Sequence, residues 1–525
     1  MDITKLGERI SVSPQISPAD VAELAAQGFR SIVCNRPDGE EQGQPAAAVI
    51  AAEAARLGLE FAHVPARSGA VTDENAADMR KALLALPAPA LAYCRSGARS
   101  AKLHEMAQTK GEAASAHHTH DVVIVGGGSA GIATAASLLK RNRKLDIAII
   151  EPSEAHYYQP GWTMVGAGVF DQDFTRRSEA SVMPDKVTWI RASASGFAPD
   201  ENKVILCDGG EVHYRVLVAC PGIKLDWEAI PGLPETLGKN GVTSNYRFDL
   251  APYTNRLVKE FEGGRALFTQ PPMPIKCAGA PQKAMYLSCH RWEKAGVLKD
   301  VDVQFHNSGA VLFGVAAYVP ALMEYVERYG AQLNFESKLV AIDGPNKTAT
   351  FEQKRGDVVQ RVEEKFDMIH VVPPQVAPDF VRSSPLAAAS GFIEVDEATL
   401  RHPRFANVFA LGDACSASNA KTAAAARKQA PVVAVNVLAA LEGKEPVADY
   451  DGYGSCPLTV EAGKIVLAEF GYGGKLLPSF PNWLIDGTRP SRLSWLLKDT
   501  ILPPVYWHGM LKGREWMVKP HMIGA

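Results

Sequence analysis

The sequence predicts an α/β protein with mostly parallel sheets, and three observations support this prediction. Apolar strand-like runs alternate with helical periodicity over residues 1–106. The alternation starts again at residue 121, around the glycine-rich turn Gly126-x-Gly128-x-x-Gly131. The region after residue 482 differs from both, because it holds four of the eight tryptophans. We therefore predict a first domain at 1–107, a linker at 108–120, a second α/β region at 121–455 and a distinct C-terminal region at 456–525.

The first region has a recognisable order of elements. The run SPADVAELAAQGF predicts a helix with Ser17 near its N-cap, and RSIVCNRPD and LEFAHVPA predict strands. A second helix, DENAADMRKALLAL, precedes the strand APALAYC. The tract QTKGEAASAHHTH has no periodicity, so we interpret it as a solvated tether rather than a histidine metal site.

The composition excludes several classes of protein. An apolar content of 46% predicts a full hydrophobic core, and a net charge of −3 predicts no nucleic-acid partner. The eight cysteines form no CxxC pair, so we expect no structural zinc site and no other metal. The N-terminus lacks an apolar signal core and no run of 18 apolar residues occurs, which predicts a cytoplasmic protein that does not span a membrane.

The segment DVVIVGGGSAGIATAASLLKR predicts a strand, a tight turn and a helix that bind a dinucleotide in a Rossmann-like arrangement. Gly126 permits the turn, Gly128 lets the backbone approach a pyrophosphate, and Gly131 allows close packing of helix on strand. Ser129 and Ala130 complete the turn at the helix N-terminus, which attracts phosphate. The next strand, DIAIIEP, ends at Glu151, which is placed to bind a ribose hydroxyl.

Two further segments favour FAD over NAD. VLVACPG and VFALGDA are apolar strands that stop at Pro-Gly and at Gly412-Asp413, as in flavoproteins with two dinucleotide-binding domains. Such proteins usually carry a second glycine fingerprint, expected after the strand RALFTQ. There the sequence reads PPMPIKCAGAPQK, so the second nucleotide site is missing and a cysteine stands in its place.

Long ordered motifs across residues 120–515 resemble one family. IKCAGAPQKAMYLS, HYYQPGWTMVGAG, HVVPPQVAPD, NVFALGDACSASNAKTAAAA and YDGYGSCPLTV are similar to sulfide:quinone oxidoreductases, particularly the mitochondrial type. The resemblance implies bound FAD, oxidation of sulfide and delivery of electrons to a quinone at a membrane surface.

The resemblance also implies site residues. It implies a pair of redox cysteines at the flavin, which we assign to Cys277 and, one residue beyond the expected position, Cys415. The Cys277–Cys415 pair is a hypothesis, because a one-residue offset at a strand end turns a side chain away. Other residues that the resemblance places near the flavin or the quinone are Gln159, Pro373, Pro374 and Lys421.

The C-terminal region has the composition of an interfacial segment. RPSRLSWLLKDTILPPVYWHGMLKGREWMVKP mixes large apolar side chains with six Lys or Arg and two acids. We expect Pro503-Pro504 to split it into a hairpin of helices at the inner face of a bacterial membrane. The alternative is a helix packed on its own domain, or on a second subunit in a homodimer.

Residues 5–105 resemble the beta-lactamase-hydrolase-like group, described as phosphatase-like or as sulfurtransferases. This implies a tyrosine-phosphatase-like α/β fold. In YCRSGARS the loop follows a strand and precedes a helix, so its backbone N–H groups form an anion nest that lowers the pKa of Cys94. Arg99 is placed to bind an oxyanion, and Arg95 adds charge. The remaining members of the nest are Ser96, Gly97, Ala98 and Ser100.

The spacing Cys94-x4-Arg99 is one residue shorter than a phosphatase loop and resembles a rhodanese loop. A phosphatase also needs a general acid, for which Asp73 and Asp38 are candidates. We therefore expect sulfide oxidation coupled to transfer of a Cys94 persulfide to a small thiol such as glutathione. A phosphatase fused to another FAD oxidoreductase, and a non-catalytic anion-binding first domain, are the alternatives. An NADH:quinone reductase is disfavoured by the missing second fingerprint.

Overall fold

The structure is a computed structural model that describes residues 2–7, 9–67, 71–112 and 118–524. The chain divides into two compact units, one of residues 1–118 and 205–213 and the other of residues 119–204 and 214–525. The predicted tether at 108–120 is shorter than expected, because the helix before it runs to Glu112 and the next strand begins at Thr119. Residues 113–117 of the predicted tether lie outside the described residues.

The first unit is a parallel sheet with one antiparallel edge strand. Its strands are β1 (Thr4–Lys5), β2 (Ile10–Ser13), β3 (Ser31–Cys34), β4 (Glu60–His63) and β5 (Ala90–Tyr93). Its helices are α1 (Pro18–Ala26), α2 (Ala47–Arg56), α3 (Asp73–Ala85) and α4 (Ala98–Glu112). The sheet order is β1-β2-β5-β3-β4, so β5 is central and its carboxyl end opens into the YCRSGARS loop.

Apolar residues of both faces of this sheet build its cores. Ile32 and Leu91 lie in one cluster and Val33 and Ala92 in the other, as strand alternation requires. Ser17 is the N-cap residue of α1, and its backbone N–H donates to Asp20 at 2.7 Å.

From residue 119 onward the chain forms two parallel sheets with small antiparallel additions. The strands are β6 (Thr119–Val125), β7 (Ile147–Ile150), β8 (Ala155–Tyr157), β9 (Arg176–Ser178), β10 (Val187–Ile190), β11 (Ala194–Ala198), β12 (Lys203–Leu206), β13 (Glu211–Ala219), β14 (Lys224–Leu225), β15 (Val242–Thr243), β16 (Gly264–Gln270), β17 (Val301–Asn307), β18 (Gln332–Asn334), β19 (Ser337–Asp343), β20 (Thr348–Arg355), β21 (Val358–Lys365), β22 (Met368–His370), β23 (Gln375–Val376), β24 (Val408–Ala410), β25 (Ala448–Asp449), β26 (Gly454–Glu461), β27 (Lys464–Phe470) and β28 (His521–Met522). The helices are α5 (Ser129–Arg141), α6 (Trp162–Gly166), α7 (Glu179–Val182), α8 (Leu233–Thr236), α9 (Ala251–Glu260), α10 (Ala280–Ala295), α11 (Val319–Tyr329), α12 (Asp379–Arg382), α13 (Ala423–Leu441) and α14 (Arg492–Leu496).

The two parallel sheets are the scaffold for the site. One has the order β10-β7-β6-β13-β12-β11 with β24 beside β13, and the other has the order β15-β22-β16-β17-β18. The carboxyl ends of parallel strands β6, β7 and β10 share one edge of the first sheet, where ligands bind in open α/β sheets. In the second sheet, the carboxyl end of β16 leads through Cys277 into α10.

The C-terminal helical run corrects one prediction. Helical turns continue from Arg492 to Lys512 with π-helical segments at 497–501 and 505–509, so Pro503-Pro504 does not split the run into two helices. Proline lacks the N–H that an α-helix needs, and wider π turns on both sides accommodate this loss. Among the described residues, no helix combines the length and hydropathy needed to cross a bilayer.

Candidate active site

The glycine turn between β6 and α5 has the shape that dinucleotide binding requires. Gly126 has φ +108°, and a Cβ there would lie 2.4 Å from the Cys220 carbonyl oxygen. A Cβ on Gly131 would lie 1.9 Å from the Gly126 carbonyl oxygen. A Cβ on Gly128 would meet nothing within 4 Å, so this backbone faces open space that a pyrophosphate can enter.

Glu151 follows β7 and holds the turn in place. Its carboxylate accepts the backbone N–H of Gly127 and that of Ser153, each at 2.8 Å. Burial raises the pKa of the carboxyl group, and the two N–H donors oppose that rise. Glu151 therefore fixes the fingerprint loop at Gly127.

Gly412 and Asp413 follow β24. Gly412 has φ +71°, and its N–H donates to Gln429 Oε1 at 2.8 Å. Burial raises the pKa of Asp413, while Lys421 and Lys276 lower it. Within the described chain no hydrogen bond engages the Asp413 carboxylate, so it is available to a ligand. The open turn, Glu151 and this carboxylate together fit a dinucleotide flavin.

A hydrogen-bonded network absent from our predictions joins the fingerprint to the C-terminal run. The Tyr506 hydroxyl lies 2.8 Å from Ser129 Oγ and 2.6 Å from His156 Nε2, and His156 Nδ1 lies 3.1 Å from Glu179. These four side chains are all largely or partly buried. Ala130 is buried beside Gly412, where an added Cβ on the glycine would meet Ala130 Cβ at 3.2 Å.

The structure pairs Cys277 with Cys456, which corrects the proposed Cys277–Cys415 pair. The Sγ atoms of Cys277 and Cys456 are 3.7 Å apart, and both groups are thiols. Cys456 lies on β26, 179 residues further along the chain. Cys277 has φ +50°, a strained conformation for a residue with a side chain and one that concentrates at functional sites.

Cys415 is unsuited to the role assigned to it. Its thiol is fully buried and donates back over the turn to the Gly412 carbonyl at 3.3 Å. Burial raises the pKa of this thiol, although Lys421 opposes the rise. The one-residue offset after Gly412-Asp413 therefore does turn the side chain into the core.

The two paired cysteines have opposite ionisation. The pKa of Cys277 lies well below the usual thiol range, because the Cys456 thiol donates to it and Lys283 Nζ donates to it at 3.1 Å, against the effect of burial. The pKa of Cys456 is raised well above that range by the same contact and by burial. Cys277 is thus the thiolate of the pair and Cys456 the protonated thiol.

Three lysines missed by the sequence analysis surround this pair. Besides Lys283, they are Lys276, whose ammonium donates to Gln159 Oε1 at 2.7 Å, and Lys498, which donates to Thr459 Oγ1 at 2.8 Å. Burial lowers the pKa of Lys276 to about 8. Burial and Lys283 hold the pKa of Lys498 well below its usual range. Lys283 and Lys276 lie in the quoted motif IKCAGAPQK, so their position beside a reactive cysteine was a usable signal.

The other residues predicted near a flavin lie around the same sheet edges. Lys421 is buried, donates to the Cys415 carbonyl at 2.8 Å, and lies 4.4 Å from the centre of the Phe392 ring. Pro373 and Pro374 follow β22, and the Pro374 carbonyl accepts the Asp226 N–H at 2.9 Å. Lys421 is thus hydrogen-bonded to the turn that carries Asp413.

In the first unit, the YCRSGARS loop has the predicted form of an anion nest. We call residues 94–100 the Cys94 loop. Gly97 has φ +86°, and α4 begins at Ala98. Burial raises the pKa of Cys94, but hydrogen bonds from the backbone N–H groups of Ser100, Ser96 and Arg99 and from the Ser100 hydroxyl lower it by more. The net shift of the pKa is downward.

Arg99 is more constrained than the sequence suggests. Its guanidinium is 8% exposed and donates to the carbonyl oxygens of Ala66 (2.8 Å) and Asn35 (3.2 Å) and to Glu40 Oε1 (2.7 Å). Arg95 is mostly exposed and lies 3.9 Å from Glu41. Arg99 therefore meets a carboxylate of the chain itself.

Of the two candidate general acids for a phosphatase, one is used otherwise. Asp38 Oδ1 accepts the Ala47 N–H at 2.7 Å at the start of α2. The Asp73 side chain lies outside the described part of the chain, although its backbone begins α3.

Comparison with known proteins divides the chain at the same place. Residues 2–111 match the family model for the phosphatase-like domain of beta-lactamase hydrolase-like protein, and residues 120–258 match that for pyridine nucleotide-disulphide oxidoreductase. A beta-lactamase hydrolase-like protein of Agrobacterium fabrum is 30% identical over 21% of this chain and 25% of its own length.

Relatives of the second unit match over most of their length. The mitochondrial sulfide:quinone oxidoreductase of Dictyostelium discoideum is 42% identical over 76% of this chain and 87% of that protein. The mouse protein of the same name is 37% identical over 77% and 89%. The solved sulfide:quinone oxidoreductase of Aquifex aeolicus has a TM-score of 0.64 at 18% identity, over 78% of this chain and 98% of that one, and so shares the fold. These matches confirm the predicted fold class, and the chain belongs to the sulfide:quinone oxidoreductase family, fused to a beta-lactamase hydrolase-like domain.

Proposed function

We propose that the second unit oxidises sulfide at the Cys277–Cys456 pair and passes the electrons through FAD to a quinone. The observation that supports this most strongly is the 3.7 Å separation of the Cys277 and Cys456 sulfurs, with Cys277 where a second nucleotide fingerprint would otherwise lie. The family relationship supports sulfide as the substrate class.

The ionisation of the pair supports an order of bond changes. In the oxidised enzyme the two cysteines form a disulfide, and hydrosulfide attacks one of its sulfurs. The thiol with the lower pKa is the better leaving group, so attack falls on Cys456 and Cys277 departs as the thiolate beside Lys283. The new S–S bond leaves a persulfide on Cys456.

An acceptor thiol completes the turnover. Its thiolate attacks the terminal sulfur of the Cys456 persulfide, and the Cys456 thiolate leaves. The two cysteines then return to a disulfide by giving up two electrons, which FAD would accept when bound. The sum is one sulfide and one thiol converted to one persulfide, with release of two electrons and two protons.

The residues of the first sheet edge support FAD as the flavin. Gly128 leaves room for a pyrophosphate, Glu151 is the acid after the second strand that such folds use for the ribose, and Asp413 offers an unused carboxylate. When bound, FAD supplies a two-electron acceptor for the cysteine pair and a donor for a quinone.

The first unit supports a sulfur relay. Backbone N–H groups around Cys94 lower the pKa of its thiol, and a candidate phosphatase acid, Asp38, accepts an N–H at the start of a helix instead. We propose that Cys94 takes a sulfane sulfur released by the second unit and gives it to a small thiol such as glutathione.

Apolar side chains of the C-terminal run support a membrane surface as the place of quinone reduction. Leu493, Leu496 and Ile501 are 41–48% exposed, and Trp483, which precedes the run, is 84% exposed. With Pro373 and Pro374 as quinone-proximal residues, this favours peripheral attachment to the inner face of a bacterial membrane. Packing of the run against a second subunit in a homodimer is the competing explanation.

Anaerobic titration with sulfide tests the proposal. Sulfide should bleach the oxidised flavin absorbance at stoichiometric amounts, and a short-chain quinone should restore it. Absence of bleaching would overturn the proposed reaction, and bleaching without recovery would overturn the quinone as acceptor.

A further inference from the structure

Glu40 accepts a hydrogen bond from Arg99, the arginine that a phosphate would need in the Cys94 loop. Arg99 uses Nη1 for the two backbone carbonyls and donates from Nη2 to Glu40 Oε1 at 2.7 Å. In phosphate-binding loops a guanidinium clasps phosphate oxygens with two N–H groups. Here one of the two terminal nitrogens is fully used and the other is shared with a carboxylate.

A second arginine fixes Glu40 in this position. Glu40 Oε2 accepts from Arg36 Nε at 2.7 Å, and Arg36 is 3% exposed. Arg36 is itself held by Gln15 at 2.9 Å and by Glu41 at 2.6 Å. Burial raises the pKa of Glu40, but its hydrogen bonds to Arg36 and Arg99 outweigh this and lower it. Glu40 therefore stays anionic at neutral pH.

The charges around the loop are nearly balanced before any ligand binds. Arg36, Arg95 and Arg99 give three positive charges and Glu40 and Glu41 two negative ones, so a single positive charge is left to balance Cys94 when its thiol ionises. A phosphate dianion would add two uncompensated charges beside the Glu40 carboxylate. A persulfide adds a single sulfur to Cys94 and no charge beyond that of the thiolate it replaces.

The donors that remain suit such a sulfur. Arg99 Nε is buried and has no hydrogen-bond partner in the described structure, and the N–H groups of Ser96, Arg99 and Ser100 surround Cys94. We propose that Glu40 is the specificity-determining residue of the Cys94 loop, which takes a sulfane sulfur and excludes phosphate dianions.

This inference rests on the proposed sulfur relay and assigns its ligand class. In the loading step, the Cys94 thiolate attacks the outer sulfur of a donor persulfide, the donor's S–S bond breaks, and the donor leaves as a thiolate. No oxidant or reductant is consumed, so the loop needs only to stabilise a singly charged sulfur.

Protection of Cys94 from alkylation tests the exclusion of phosphate. The reduced full-length protein is treated with iodoacetamide across a range of inorganic phosphate concentrations, and modification of the Cys94 peptide is followed by mass spectrometry. We expect inorganic phosphate at about 10 mM to leave the rate of Cys94 alkylation in the wild type unchanged. Glu40→Gln keeps the side-chain shape and removes the charge. In this variant we expect half-protection of Cys94 at a phosphate concentration at least about tenfold below the one that leaves the wild type unaffected.

Two control variants make the result specific. Glu53→Gln removes the same charge from α2, where Glu53 pairs with exposed Arg56, and should behave like the wild type. Glu40→Asp keeps the charge and should still exclude phosphate. This variant also tests the inference if Glu40→Gln does not fold. Phosphate protection of the wild type, or no gain of protection in folded Glu40→Gln, would overturn the inference.

A separate readout isolates the sulfur relay. Incubation of the wild type with glutathione persulfide should add one sulfur atom to the Cys94 peptide. If that mass does not appear while phosphate remains excluded, the relay is wrong and the exclusion by Glu40 stands. If phosphate protects the wild type, the exclusion is wrong whatever the loading experiment shows.

Discussion

At the scale of single residues, the chemistry of the second unit depends on how two lysines influence the ionisation of two cysteines. Lys283 lies 3.1 Å from Cys277 and stabilises its thiolate, whereas Lys498 is buried near the pair with its pKa held low. Cys456 keeps its proton and donates a hydrogen bond to Cys277. This asymmetry gives the two sulfurs different roles, one as leaving group and the other as carrier.

The pH dependence of Cys277 alkylation tests this asymmetry. A lowered pKa means that the thiolate persists as the pH falls, so reduced Cys277 should react with iodoacetamide at pH values where an ordinary thiol, with a pKa of about 8.5, is protonated. In Lys283→Met we expect the midpoint of the rate profile to rise by about one pH unit or more. Lys294→Met, on the exposed end of α10, is the control. An unchanged midpoint in Lys283→Met would contradict the assigned role.

At the scale of elements, the start of α10 is shaped to admit the Cys456 thiol. A Cβ on Gly279 would lie 2.5 Å from Cys456 Sγ and 2.3 Å from Leu458 Cδ2, both on β26. Gly279 therefore lets the helix approach the strand closely enough for the two cysteines to meet.

Substitution of this glycine should cost both stability and activity. We expect Gly279→Ala to lower the free energy of unfolding by about 1–3 kcal/mol, as overpacking does, and to displace Cys456 from Cys277. Gly314→Ala, where an added Cβ meets nothing within 4 Å, should do neither. Calorimetry and the rate of sulfide oxidation measure the two effects. Full activity in Gly279→Ala would show that the close approach is not required.

The C-terminal run is the element that we expect to reach a membrane. The double variant Leu496→Asp with Ile501→Asp places charges on its exposed apolar side chains and should weaken sedimentation with phosphatidylcholine–phosphatidylglycerol vesicles by about tenfold or more. Val358→Asp with Val359→Asp changes two valines on β21 that are more exposed than Leu496 and Ile501, and it should leave sedimentation unchanged. Equal loss in both variants would argue against a specific membrane-binding element.

At the scale of the whole molecule, the second sheet has the position of a nucleotide-binding domain without its fingerprint. After β16 the chain passes through Pro271 and Pro272 to Cys277 and enters α10 at Ala280. We therefore expect no bleaching of the flavin by NADH or NADPH at micromolar concentrations under anaerobic conditions. Rapid bleaching by either nucleotide would make the chain a pyridine-nucleotide oxidoreductase.

The parts of this molecule that follow from local sequence were predictable. The glycine turn from β6 into α5, the acid after β7 and the nest around Cys94 each lie within a short stretch, where backbone geometry dictates residue type. The class of both units follows from the same local alternation of strands and helices.

Long-range contacts were not predictable in this way. Cys456 and Leu458 occupy alternate positions of a strand and are both buried, so Cys456 has the pattern of a core residue. Its contact with Cys277 spans 179 residues. Glu40 lies in the loop between β3 and α2 and Arg99 at the start of α4, and the two meet only at the carboxyl edge of the sheet. Pro503-Pro504 had the pattern of a helix break, but π turns on both sides absorb it.

Anaerobic sulfide titration of three proteins distinguishes whether Cys277 oxidises sulfide together with Cys456 or with Cys415. Wild type and Cys415→Ser should both show stoichiometric bleaching of the flavin, because the Cys415 thiol is turned to the Gly412 carbonyl. Cys456→Ser should lose on the order of 100-fold or more in the rate of bleaching. Normal bleaching in Cys456→Ser, together with its loss in Cys415→Ser, would show that Cys415 and not Cys456 acts with Cys277, as first expected from the sequence.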